Sequence, residues 1–311
     1  MTTDAGFLAN VHSAPALMPY WPPEWADVFG EDDSGIFAEC EVQGIGFVWR
    51  WIGPGKFRMG CDPKDEHGFG VEKPQQEVVI TRGFWMGETP VTQEQWEAVT
   101  GQNPSHFKGP RRPVEQVSWH DSVAFMQKLN QLLPGLHAAL PTEAQWEYAC
   151  RAGTQAAFHD GSPCTVPEGK DPALDRLGWF GANSDGQTHD VKLKNANAWG
   201  LYDLHGNVWE WCRDAWDAEA YAKRPEGAPA PETTSDDKSA YRVVRGGAWV
   251  NRARVCRAAF RSRLHPGFRV RDLGLRLSAG QELRAAEPPG AERPLPERRS
   301  RARRAEGSEP A

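Results

Sequence analysis

Ten arginines fall within residues 242–276, at positions 242, 245, 252, 254, 257, 261, 263, 269, 271 and 276, against one acid, Asp272. A guanidinium is a planar fork of donors that matches a carboxylate with two parallel hydrogen bonds. Two uses follow. The arginines brace the interior against Glu143, Glu147 and Glu210, or they form a cationic face for an anionic ligand. Six cysteines, Cys40, Cys61, Cys150, Cys164, Cys212 and Cys256, are the other chemically versatile residues. None is spaced as a CxxC pair, so a zinc ribbon is not expected. An even cysteine count points to disulfides in small secreted chains, and 311 residues is not small. The thiols read as buried small hydrophobes.

The elements that hold these residues are short. The chain has 14 Trp, 31 Gly and 25 Pro. Glycines supply left-handed turns, and large rigid aromatics cover backbone that lacks ladder hydrogen bonds. Three helices are marked by their ends. Thr92 caps residues 93–99, with Gly101 beyond. Ser118, with Asp121 as its capping-box partner, opens a second helix carrying Val123, Met126, Leu129 and Leu133, stopped at Pro134-Gly135. Thr142 with Gln145 opens a third, with Gly153 past its end. Two helices of three or more turns are expected. Strand-like runs cover 47–52, 77–81, 241–244 and 273–277. The pattern predicts an α+β domain with little regular structure.

Composition divides the chain into an N-terminal extension, 1–38, that packs on the rest; a Trp- and Gly-rich domain, 39–278; and a tail, 279–311. The tail has no aromatic residue and is rich in Glu, Arg, Pro and Ala. It cannot bury enough apolar surface to offset chain entropy and is expected to be disordered. A formal charge of −6 argues against general nucleic-acid binding. No stretch approaches the roughly 18–20 apolar residues of a membrane span. The first residues lack the basic and apolar segments of a secretory leader, so a cytoplasmic location is expected.

Ordered blocks then carry a resemblance. Residues 51–60 read Trp-Ile-Gly-Pro-Gly-Lys-Phe-Arg-Met-Gly, and 88–92 read Glu-Thr-Pro-Val-Thr. Residues 113–119 read Pro-Val-Glu-Gln-Val-Ser-Trp, and 140–149 Leu-Pro-Thr-Glu-Ala-Gln-Trp-Glu-Tyr-Ala. Residues 200–211 read Gly-Leu-Tyr-Asp-Leu-His-Gly-Asn-Val-Trp-Glu-Trp. Residues 245–249 read Arg-Gly-Gly-Ala-Trp, and 273–276 Leu-Gly-Leu-Arg. The set resembles the formylglycine-generating-enzyme, or sulfatase-modifying-factor, family over about residues 44–278. The resemblance implies a fold related to C-type lectins. It also implies one of several functions: copper-dependent oxidation of a sulfatase cysteine, iron-dependent sulfoxide synthesis, or non-catalytic ligand binding, as in the variable proteins of diversity-generating retroelements.

The oxidases hold Cu(I) on two thiolates, the soft ligands that ion prefers, placed as Gly-Gly-Ser-x-x-Cys-x-x-x-x-Cys. The matching residues here keep Cys256, but the first cysteine position is Asn251, the serine is Ala248, and a further pocket asparagine is Asp272. Trp209 still matches. Copper is therefore not expected, and a diverged oxidase working through Cys256 is the alternative. The sulfoxide synthases draw iron ligands from an upstream helical domain. Only His12 precedes the family domain here, so that activity is not expected. The resemblance also places a structural Ca²⁺ on a loop, with Asp203 and Glu210 giving carboxylates and Gly206 and Val208 giving carbonyls; hard oxygen donors suit that ion. The competing reading pairs Glu210 with an arginine.

Ligand-binding relatives vary the positions between the arginines. Here Trp249, Asn251, Arg252, Arg254, His265, Phe268, Val270 and Asp272 mix charge with apolar anchors, as a recognition surface on a rigid scaffold does. With the copper pair incomplete, the sequence points to a non-catalytic module for a protein or peptide partner.

Overall fold

A computed structural model describes residues 22–229, 233–235 and 237–280. The expected disorder beyond residue 280 and residues 1–21 lie outside the described residues. The chain opens with an antiparallel meander of β1 (Val28–Asp32), β2 (Gly35–Val42) and β3 (Ile45–Ile52). The expected boundary at 38/39 therefore falls inside β2, and residues 28–38 are integral to the sheet rather than an extension packed on it. A separate ribbon pairs β4 (Gly55–Met59) with β5 (Gln76–Ile80). β6 (Phe84–Gly87) then returns to β3.

The helices start where their caps dictate. α1 (Gln93–Thr100), α2 (Trp119–Leu132) and α3 (Glu143–Arg151) each carry a complete capping box, on Thr92/Gln95, Ser118/Asp121 and Thr142/Gln145. Only α2 reaches three turns; α1 and α3 have 8 and 9 residues, so the expectation of two such helices is corrected. α3 ends at Arg151, and Ala152 and the expected Gly153 beyond it are both left-handed, at φ 43° and 92°. Trp96 stacks flat on Phe125, centroids 4.7 Å apart, locking α1 onto α2.

Between α2 and α3, β7 (Ala138–Ala139) joins the first sheet. Residues 152–208 are almost wholly irregular. β8 (Trp209–Ala215), β9 (Arg242–Arg245), β10 (Arg261–Leu264) and β11 (Leu273–Gly274) make a second sheet in the order β10-β9-β8-β11, with β11 parallel to β8. β12 (Ser278–Ala279) inserts between β6 and β7, completing the first sheet as β1-β2-β3-β6-β12-β7. Of the expected strand 273–277 only Leu273–Gly274 is strand, and the next strand, β12, starts one residue past its end. No helix among the described residues is long and apolar enough to cross a membrane.

Tryptophans seal the junctions. Trp25, Trp49, Trp51 and Trp85 meet edge to face at 5.4–5.8 Å, tying residues before β1 to the sheet. Behind the second sheet the arginines brace buried acids. Arg245 and Arg261 hold Glu143, Arg245 and Arg151 hold Glu147, and Arg276 holds Glu210. The bracing role read from the sequence is what the structure shows for these three.

Candidate ligand-binding face

β9 delivers the chain into Gly246 and Gly247, both left-handed at φ 94° and 71°. A Cβ on Gly247 would lie 2.6 Å from Cys256 Sγ, so only glycine lets the turn lie over that thiol. The next turn is closed by Asn251. Its Oδ1 accepts the Ala248 N–H at 2.9 Å, and its own N–H donates to Ala248 O at 2.9 Å. The amide standing at the first cysteine position is thus a structural clasp.

Cys256 ends a short 3-10 segment and is fully buried against Phe158, Leu174, Leu177, Phe180 and Cys164. Burial pushes its thiol far above the ordinary range. A sealed, protonated thiol beside an amide does not fit the paired thiolates that hold Cu(I).

Trp249 emerges from this turn. Its indole N–H donates to Arg271 O at 3.1 Å, and its carbonyl accepts from Ser184 Oγ at 2.7 Å. Around it opens a shallow cavity of about 620 Å³. Its walls gather Trp249, Val270 and Asp272, as expected from the sequence, with Arg269 and Arg271 of the arginine-rich segment and with Val250, His106 and Gln116. Gln116 arrives because its N–H pairs with Val270 O at 3.1 Å, a contact across more than 150 residues that no local pattern announces. Val250 and Val270 are 52% and 37% exposed, unusual for valine and open to a partner. The other proposed binding residues go elsewhere. Arg252 and Arg254 both pair with Glu168. His265 and Phe268 group with Tyr241, at 5.8 and 6.1 Å, outside the cavity.

One wall rests on Glu115, which is fully buried. Its Oε1 accepts the backbone N–H groups of His106 and Phe107, while Oε2 is buried without a partner. Phe107 in turn packs edge-on against Trp249 at 5.4 Å. Burial pushes the Glu115 carboxyl up to about 7; the Phe107 and His106 N–H groups, Lys108 and Arg271 act in the opposite direction. The His106 and Phe107 amide resonances should therefore titrate with a midpoint near 7, and Glu115→Gln should abolish the titration. Shifts that stay flat from pH 5 to 8.5 would contradict this geometry.

The proposed calcium set does not fit an ion shared by Asp203 and Glu210. Glu210 accepts Arg276 Nη2 at 2.8 Å on Oε1 and Trp146 Nε1 at 2.6 Å on Oε2. Asp203 is buried with its oxygens on Lys192 N and Asn207 Nδ2, at 2.9 and 3.2 Å. Gly206 holds a left-handed turn packed on Trp179, and Val208 is buried. No cluster of three or more His, Cys, Asp or Glu suited to a metal occurs among the described residues. The pairing of Glu210 with an arginine is the reading that the geometry satisfies.

A model of the sulfatase-modifying factor enzyme 1-like domain matches residues 46–279. The formylglycine-generating enzyme of Bos taurus is 30% identical over 217 residues, covering 67% of this chain and 54% of that enzyme; the chain thus spans about half its length. The chaperone protein LppX of Paenibacillus barcinonensis is 27% identical over 243 residues, covering 64% of this chain and 81% of LppX. Among solved structures, Treponema denticola variable protein 1 superposes with a TM-score of 0.65 at 30% identity, covering 78% of this chain and 98% of that one. Motif order, sheet topology and these matches agree: the chain belongs to the sulfatase-modifying factor family.

Proposed function

We propose that this domain is a non-catalytic binding module whose recognition face is the cavity around Trp249, Val250, Val270 and Arg271, and that it takes a protein or peptide partner. One observation carries the reading. Asn251 replaces a thiolate and spends its side chain closing the turn, while Cys256 is sealed beneath it. The open, shallow shape of the face suits a protein surface better than an enclosed substrate. Exposed valines beside Arg269 and Arg271 supply apolar contact and charge. Relatives that include a protein named as a chaperone and one named as a variable protein favour recognition over one conserved reaction.

The test compares proteins captured by the wild type and by Val250→Ser/Val270→Ser/Arg271→Ala, with thermal melts to establish that both are folded. A partner held by the wild type should bind the variant at least about tenfold more weakly, since loss of interface anchors costs more than ~1 kcal/mol each. Equal capture by a folded variant would remove this face from consideration.

A second reading, an altered oxidase, draws on one observation: Cys164 lies in the same buried cluster as Cys256 and brings a second thiol to that region.

A further inference from the structure

Among the described residues, six buried arginines, Arg50, Arg151, Arg245, Arg257, Arg261 and Arg276, each rest on an Asp or Glu. Arg242 does not. It is 8% exposed, yet its guanidinium makes one hydrogen bond, from Nη1 to Arg213 O at 3.1 Å, and its Nε is buried with no acceptor. Strand alternation explains the difference. Val243 and Arg245 face α3, where Glu143 and Glu147 wait, whereas Arg242 and Val244 face α2. The α2 residues on that side are Trp119, Val123, Met126, Gln127 and Asn130, at helical spacing and without an acid.

These side chains and β7 wall a groove of about 430 Å³, whose lining among the described residues holds Arg213 and Arg242 and no carboxylate. The volume lies within the ~300–1,000 Å³ of small-molecule sites. Its floor is fixed: Trp119 Nε1 donates to Cys212 O at 3.0 Å, and the Arg242 guanidinium lies 4.2 Å above the indole. A desolvated cation without an anion is costly unless something compensates it.

We propose that this groove is a second site, separate from the Trp249 face, for a small organic carboxylate with an apolar aliphatic or aromatic body. The carboxylate meets the free donors of Arg242. The apolar body lies along Trp119, Val123 and Met126. Arg242 is pre-oriented by the stack on Trp119, so binding sacrifices little side-chain freedom.

The test is calorimetric titration of the full chain with 4-phenylbutyrate, octanoate and the uncharged amide of 4-phenylbutyrate. At least one acid should bind saturably, and the amide at least about tenfold more weakly than its acid, as loss of a charge-assisted pair predicts. Arg242→Gln should remove that discrimination. Met126→Trp, which fills the groove and leaves Arg242 in place, should block acid and amide alike. Should Arg242→Gln fail to fold, the acid–amide ratio and Met126→Trp decide the matter. Equal affinity for acid and amide, undiminished binding by either folded variant, or no saturable binding of either acid up to about 10 mM, a concentration that would leave less than ~3 kcal/mol of binding free energy, would overturn the proposal.

Discussion

Glu147→Ala is expected to lower the unfolding free energy by about 3–5 kcal/mol, the cost of stranding a buried ionic partner. Glu147 is fully buried, and its carboxylate joins four parts of the domain. Oε1 accepts Gly60 N at 2.8 Å and Arg151 Nε at 2.9 Å; Oε2 accepts Arg245 Nη2 and, at 3.4 Å, Tyr221 Oη. Burial works to raise its pKa, but Arg151 and Arg245 together outweigh that and hold the carboxyl below its usual range. Removing it leaves two guanidinium groups and a backbone N–H facing an apolar void. Urea unfolding measures the loss; a decrease below about 1 kcal/mol, the worth of an exposed ion pair, would show that the network is not what unites α3 with the second sheet. Replacing the exposed Glu168, which pairs with Arg252 and Arg254, is expected to change stability by less than that.

Acid sensitivity is the second large effect. The rings of His159 and His205 stack at 4.9 Å, both buried. Neither His159 nitrogen makes a well-formed hydrogen bond, while His205 uses Nδ1 on Cys256 O at 2.7 Å and Nε2 on His159 N at 3.1 Å. Burial, reinforced at His205 by its neighbour, pushes them down to about 4 and about 3. The sign follows from where each state binds protons. The unfolded histidines charge near pH 6.5 while the folded ones resist, so their contribution is complete above 6.5 and drains away as pH falls toward 4. Each contributes a slope of about 1.4 kcal/mol per pH unit in that window. Glu115 and Asp203, pushed up by burial to about 7 and about 6, oppose this in part of the same range, so the variant is the cleaner measure. His159→Phe keeps the stacked ring and removes one titration. Urea melts between pH 6.5 and 4.5 should show the variant losing about 1.4 kcal/mol less per pH unit than the wild type. Parallel curves would contradict the burial of a neutral His159.

The contrast between what was readable and what was not has a physical basis. Helix starts were legible because a capping box is a local bargain between two residues three apart, and all three form as spaced. The α3 end was legible too, since Gly153 just past it is left-handed at φ 92°, although Ala152 before it also takes a left-handed position. β1 was hidden by its edge position: four of its five residues, Phe29 to Asp32, include a glycine and two acids, and no clean apolar alternation is needed where one side is open. Arginine bracing was visible as an excess of guanidinium groups over nearby acids, but the partners of Arg252 and Arg254 were not, since Glu168 comes from an irregular loop. Six of the eight cavity residues come from the 249–272 segment singled out in the sequence. His106 and Gln116 were not foreseeable, since Glu115 and Val270 position them through contacts visible only after folding.

The copper reading and the binding reading part most directly in one assay. The full chain is reconstituted with Cu(I) and given oxygen and a sulfatase-type cysteine peptide, while dissolved oxygen and peptide mass are followed together. With Asn251 closing the turn and Cys256 buried and protonated, no enzyme-dependent oxygen uptake and no change at the peptide cysteine are expected. Conversion of that cysteine with matching oxygen consumption, abolished by Cys256→Ala in a folded protein, would contradict the proposal that this scaffold recognises rather than oxidises.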